Sequence, residues 1–299
     1  MGNGLNCVHW RHSYRVAPTT HAAPPWPPCR AHHARPDGIA GHTTAGSNAC
    51  QSCCDRLRDV TSKIITVAAY KGGVGKTRTA YELAYLLGAP LVDFDYDGGG
   101  ASGLWGYDHG RYTRAPLLDA FLTDRIPRPL SGGGTKPDLV PTHPNVGSEL
   151  IQMAPEEVQG RVEKWASEWG SEYVVIDTHP GWHPITVGAM AASSLIVVPT
   201  VLDVAELRAL AGMVRELADY PLLVIPNRVP RIVPRTGRKL LGEIVAESGV
   251  AVGPFVNENR HIGQRTRLMA ICAGDTAVRH RHYVDQMQNV ADAVKELAK

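Results

Sequence analysis

From residue 63 onward the chain alternates short, almost continuously apolar runs with longer stretches in which apolar residues recur at helical spacing. Runs such as Tyr173-Val174-Val175-Ile176 and Leu195-Ile196-Val197-Val198 show no polar face, as parallel strands covered on both sides require. The pattern predicts strands over 63–70, 90–95, 149–153, 173–177, 195–199, 222–226 and 250–256. It predicts helices over 76–87, 116–122, 155–169, 185–192, 204–220, 238–248 and 282–298. Such alternation implies an α/β fold, a doubly wound and mainly parallel sheet with helices on both faces. Ligands of these sheets bind at the carboxyl ends of the strands, so the loops after residues 70, 95, 177, 199 and 226 are expected to converge on one site.

The first sixty residues break this pattern. They hold Cys7, Cys29, Cys50, Cys53 and Cys54, six of the 13 histidines and six prolines, whereas residues 61–299 hold one cysteine, Cys272. Three readings of the leader stay open. Cys29, His32, His33, Cys50, Cys53 and Cys54 could hold a tetrahedral Zn²⁺, although only one C-x₂-C pair exists. The segment could stay disordered, because it has no periodic apolar pattern to offset its ordering entropy. It could also be non-native, with Val60-Thr61-Ser62-Lys63 close to the true start. The expected division is therefore a leader, 1–60, and one nucleotide-binding domain, 61–299. The formal charge of +2 belongs to the leader, since the remainder carries 25 basic and 26 acidic side chains. Overall basicity thus says nothing about nucleic acid binding by the main domain. The chain has neither a signal-like apolar segment nor a membrane-length one, and a cytoplasmic location is expected.

Residues 71–77 read Lys-Gly-Gly-Val-Gly-Lys-Thr, directly after the first strand candidate. Glycines there let backbone N–H groups approach phosphate oxygens, Lys76 suits the outer phosphates, and the Thr77 hydroxyl suits Mg²⁺. Lys71 is surplus. A cation at the start of so tight a loop is badly placed for the phosphates its own loop wraps, so its simplest use is a nucleotide held by another subunit. Asp177 ends an apolar strand where a carboxylate can reach Mg²⁺ or its water opposite Thr77; the alternative is a solvated strand-end aspartate. Asp93 and Asp95 share one side of a strand end. Asp95 is the better placed to orient a water, and Asp93 the more structural. No Asn-Lys-x-Asp run marks a guanine site, which favours ATP. Asn227 ends a strand at the rim, where its amide could pair with an adenine edge or simply form a turn after Pro226.

These motifs carry a resemblance. Lys71-Gly-Gly-Val-Gly-Lys76-Thr77 resembles the deviant Walker A of the ParA/MinD group of P-loop ATPases. The segment from Val92 through Asp95 to Ser102 resembles the switch that in ParA proteins reads Asp-Leu-Asp-Pro-Gln-Gly-Asn, and Ile176-Asp-Thr-His-Pro180 resembles their Ile-Asp-Thr-Pro-Pro. Residues 189–211 resemble the stretch that follows in ParA. The resemblance spans roughly 62–298 and implies that Lys71, Gly72, Gly73, Val74, Gly75, Lys76, Thr77 and Arg78 line the nucleotide. It implies that Lys71 reaches the partner's phosphates, Asp95 positions the water, and Thr77 and Asp177 serve Mg²⁺. Three departures stand out: Arg78 for a threonine, Tyr96-Asp97 for Pro-Gln, and His179 for the first proline.

Within the group, a nitrogenase-like iron protein would need cysteine pairs that this domain lacks, and Tyr283 is no tyrosine cluster. The last helix aligns Val284, Met287, Ala291, Val294 and Leu297 but carries Asp285, Asp292 and Glu296, which suits core packing better than a membrane surface. The resemblance therefore implies a DNA-partitioning ATPase for a plasmid or chromosome. ATP and Mg²⁺ would close a homodimer that coats nucleoid DNA without sequence preference, and a ParB-like centromere-binding partner would trigger hydrolysis. Arg228, Arg231, Arg235, Arg238, Lys239 and Arg260, with Arg265 and Arg267, are the candidate DNA contacts. The alternative is a ParA-like ATPase that positions another cargo at a protein or membrane surface.

Overall fold

In the computed structural model the residues described are 62–299, apart from 99, 112–114, 264, 267 and 275–277. The three readings of the leader and the DNA contact suggested for Arg267 lie outside the described residues. Among the described residues the order is β1 (Lys63–Val67), α1 (Lys76–Leu87), β2 (Leu91–Phe94), α2 (Ala101–Trp105), α3 (Pro116–Thr123), β3 (Leu139–Val140), α4 (Val146–Glu149) and α5 (Pro155–Trp169). There follow β4 (Tyr173–Thr178), α6 (Pro184–Ala191), β5 (Leu195–Thr200), α7 (Val204–Glu216), β6 (Leu222–Pro226), α8 (Arg235–Ser248), β7 (Ala251–Val252) and α9 (Val278–Leu297). Prolines at the first turns of α3, α5 and α6 start those helices where a missing N–H costs nothing.

All seven strands run parallel in the order β3-β2-β4-β1-β5-β6-β7, the doubly wound architecture expected. Alternation along β1 divides the core. Ile65 and Val67 face Tyr81 and Leu83 of α1 and Met287, Val290 and Val294 of α9. Ile64 faces Leu117 and Phe121 of α3, Trp165 of α5 and Ile185 of α6. The buried stripe of α9 confirms it as a helix packed on the sheet, and no described helix is long and apolar enough to cross a membrane. Register then places the site, because Asp177 on β4 lies beside Val67 on β1 and Asp93 on β2 at the carboxyl edge.

Three strand expectations need correction, the first because β1 ends at Val67 rather than at residue 70. Residues 149–153 form no strand: α4 ends there in a turn closed by Leu150 N–H to the Val146 carbonyl and Met153 N–H to that of Leu150. Leu150 is buried but Ile151 is 47% exposed, so this short apolar run was not a buried strand. The edge strand is β3 instead, paired at Leu91 with Leu139 and Val92 with Val140. Residues 250–256 shrink to the two residues of β7, although the Val256 N–H still reaches the Pro226 carbonyl at 2.8 Å.

Candidate nucleotide site

The loop between β1 and α1 is a cradle of backbone. Gly73 and Gly75 have φ of 82° and 96°, a left-handed conformation that side chains resist. A Cβ on Gly75 would also come within 2.3 Å of the Asn227 amide nitrogen, so space and φ both demand glycine. Gly75 is the N-cap of α1, whose unpaired N–H groups and dipole favour an anion in front of the loop. Gly72 and Gly73 are exposed and Val74 is buried. Two side chains from the end of β6 brace this loop. Asn227 Nδ2 donates to the Val74 carbonyl at 2.8 Å and its Oδ1 accepts the Arg228 N–H at 2.9 Å. Arg228 Nη1 donates to the Gly73 carbonyl at 2.9 Å. Asn227 thus acts as a strut in this arrangement rather than presenting a free amide to a base, and Arg228 stands apart from the outward basic set.

Lys76 opens α1 and is only 5% exposed. Desolvation lowers its pKa, opposed by the charges of Asp177 and Asp95 facing it. Asp177 is fully buried with both carboxylate oxygens lacking a hydrogen-bond partner of good geometry. Burial raises its pKa well above the usual carboxylate range and Asp93 adds to this, while the nearby Thr77 hydroxyl and Lys76 favour the ionised form. A fully buried carboxylate supported only by a loosely placed hydroxyl and one lysine charge is a costly arrangement unless a cation completes it. Asp177 and Thr77 therefore fit a hard divalent cation. Among the described residues no three His, Cys, Asp or Glu side chains gather as a metal site.

Asp93 is the structural carboxylate. Its Oδ1 accepts the Asp95 N–H at 3.0 Å and its Oδ2 the Ser102 N–H at 2.6 Å, tying the switch loop back to the strand. Burial raises its pKa to about 7 against the pull of Ser102 and the Asp95 amide. Gly100 is required here by close approach, since a Cβ would fall 2.6 Å from Asp93 Oδ1. Asp95 is 9% exposed, near enough to Lys76 to support its charge, and accepts the Asp97 N–H at 3.3 Å. Arg78 turns away from the loop, with Nη1 lying 3.4 Å from Oε1 of buried Glu82, which also accepts the Ile271 and Cys272 N–H groups. Only its backbone remains beside the phosphate cradle.

Lys71 is half exposed, its Nζ 3.4 Å from the Ala205 carbonyl and 3.7 Å from Glu206 Oε1 on the first turn of α7. Arg231, Arg235, Arg238, Lys239 and Arg260 are exposed, with Lys239 loosely paired to Glu243 at 3.6 Å. Arg265 is partly buried. His183, Tyr96 and His179 gather around the switch loop, although sequence spacing gave no sign of this contact.

No family model matches the chain. It is 32% identical over 161 residues to the chromosome-partitioning ATPase Soj of Thermus thermophilus, a match spanning 52% of this chain and 61% of Soj. The chromosome partitioning protein ParA of Caulobacter vibrioides is 30% identical over 173 residues, spanning 52% of this chain and 62% of that protein. Matches to these curated relatives thus span about three-fifths of their length. In fold the chain resembles an ATP complex of McdA from Cyanothece, with a TM-score of 0.64, 18% identity and coverage of 79% of this chain and 96% of McdA. In its deviant phosphate loop, the carboxylate pair at the sheet edge and this parallel sheet, the chain resembles the ParA/MinD group of P-loop ATPases.

Proposed function

We propose that this protein hydrolyses ATP as a homodimer that binds DNA without sequence preference and partitions a replicon, stimulated by a ParB-like centromere-binding protein. The observation that carries the reading is the juxtaposition of an incomplete carboxylate, Asp177, with Thr77, Lys76 and a glycine cradle, while a further lysine, Lys71, stands outside on α7. The loop and the α1 N-terminus bind the phosphates, Lys76 contributes charge to the outer ones, and Asp95 orients the attacking water. Thr77 and Asp177 would hold Mg²⁺, which would neutralise charge on the phosphate oxygens. Lys71 is donated to the partner's nucleotide, so dimerisation depends on ATP.

Support for DNA comes from the placement of the cations. Arg235 and Arg238 occupy the first turn of α8, where no acidic residue balances them and the helix dipole is also positive. Such an arrangement costs stability and concentrates potential for a polyanion. Arg231 precedes it in the same exposed segment. By the same reading the protein associates with the nucleoid in the cytoplasm. Binding of the full chain to random duplex DNA, titrated with salt and with or without Mg-ATP, tests this. ATP-dependent binding that weakens steeply with salt is expected. Absence of such binding at low salt refutes partitioning and points to a non-DNA cargo.

A further inference from the structure

Two of the departures from the ParA pattern meet in space. Tyr96 and His179 stand where the family carries prolines, and their rings stack with centroids 4.5 Å apart and planes 7° from parallel. The third substituted residue, Asp97, closes the contact, with Oδ2 2.7 Å from His179 Nε2 although 82 residues separate them. An ionised carboxylate only accepts hydrogen bonds, so in this contact His179 carries its proton on Nε2. The other side of the cluster is equally well defined. The Tyr96 ring meets His183 edge-on at 5.1 Å and presses on Gly147 so closely that a Cβ there would lie 2.6 Å from the ring. His183 Nε2 contacts the Gly147 carbonyl at 3.0 Å, and the His179 carbonyl accepts from Thr186 Oγ1 at 3.4 Å. Loops following β2 and β4, together with α4, are thus held by one set of rings.

We infer that Tyr96, Asp97 and His179 form a latch that positions Asp95 through side-chain contacts where relatives use proline. A proline ring fixes φ permanently, whereas a stacked pair with one hydrogen bond can open and close. The latch reaches Asp95 through the backbone of residue 97, whose N–H donates to Asp95 Oδ1, and His179 lies two residues beyond Asp177 at the neighbouring strand end. These three are positioning residues: none need touch nucleotide, yet together they set the carboxylate that orients water. The inference rests on the role proposed for Asp95, and its structural half stands on the contacts alone.

Hydrogen exchange on the nucleotide-free full chain tests the structural half, comparing wild type with Asp97→Ala, His179→Ala and the double variant. Asp97 is largely exposed, so its replacement leaves the core intact. Exchange across 95–103 should quicken by about ten-fold or more in each single variant and no further in the double, with α9 unchanged. Unchanged exchange in both single variants overturns the latch. Steady-state ATP hydrolysis tests the positioning half. The kcat should fall about ten-fold with KM within about two-fold. The family-like pair Tyr96→Pro with His179→Pro should recover most of the loss. Faster exchange with unaltered kcat overturns the positioning role. Wild-type protein that hydrolyses no ATP overturns the proposed function instead, and the exchange experiment then decides the latch by itself.

Discussion

At the scale of single residues the sequence exposes chemistry that must recur at fixed spacing and hides chemistry assembled across loops. The meeting of Lys76, Thr77 and Asp177 was legible because a loop and a strand end on neighbouring parallel strands share one edge of the sheet. Asn227 was legible only as two alternatives, an adenine partner or a turn former, and the structure gives it a third task as the strut under Val74. The two binding roles predict different outcomes for Asn227→Ala. Losing the strut leaves the Val74 carbonyl short of its partner and loosens the cradle for any nucleoside triphosphate. Affinity for ATP and GTP should then fall together by about two- to ten-fold, in line with a net hydrogen bond of about 0.5–1.5 kcal/mol. Calorimetric titration with both nucleotides measures this. A fall for ATP that spares GTP would restore the adenine-edge role. The stack of Tyr96 on His179 was invisible for a different reason: the loops after residues 95 and 177 were expected to converge, but nothing in the chain tells which of their side chains will meet.

At the scale of elements, strong periodicity and proline starts fixed α1, α5, β4 and β5 nearly to the residue. What escaped was short. β3 has two residues between Pro137 and Pro141, too few for any alternation, and α2 and α4 are of five and four residues. Such pieces owe their conformation to the sheet edge and the switch loop rather than to local preference. The start of α6 carries a testable consequence. His183 is its N-cap, with Nδ1 accepting the Ile185 N–H while Nε2 faces the Gly147 carbonyl, which defines a neutral tautomer. Burial lowers its pKa, opposed by the hydrogen bond to the Gly147 carbonyl and aided by the neighbouring His179. The unfolded chain therefore takes up the proton first, so His183 contributes stability above its unfolded pKa, about 6.5. That contribution is lost as pH falls through its depressed native value. Asn also caps helices but does not titrate, so His183→Asn should flatten the fall of Tm between about pH 7.5 and 5.5. Identical slopes for the two proteins would show that the cap carries no pH dependence. Asp93, whose pKa is raised, tilts the curve oppositely in both proteins and cancels in the comparison.

At the scale of the whole molecule, the parallel order of strands turns the loops after β1, β2 and β4 toward one edge, where Lys76, Asp95 and Asp177 face one another while Arg78 turns aside to Glu82. Lys71 also stands outside that group, and the proposed dimer depends on where its ammonium goes. In the protomer its ammonium rests on α7, at 3.4 Å from the Ala205 carbonyl and 3.7 Å from Glu206, with the side chain 44% exposed. An ion pair this open is worth about 0–1 kcal/mol, too little to hold the lysine against a fully charged phosphate in a desolvated interface. Glu206→Ala should therefore shift the ATP-dependent monomer–dimer equilibrium by no more than about five-fold. On the proposed function, Lys71→Ala removes a group that only the dimer uses. Sedimentation of Lys71→Ala with Mg-ATP should show monomer at concentrations where wild type is dimeric, while a fluorescent ATP analogue still binds with near wild-type affinity, because Lys76 and the cradle are untouched. Loss of nucleotide binding in the monomer would instead make Lys71 a ligand of its own loop. Unchanged dimerisation would separate assembly from this lysine altogether, and the surplus cation would then need another partner.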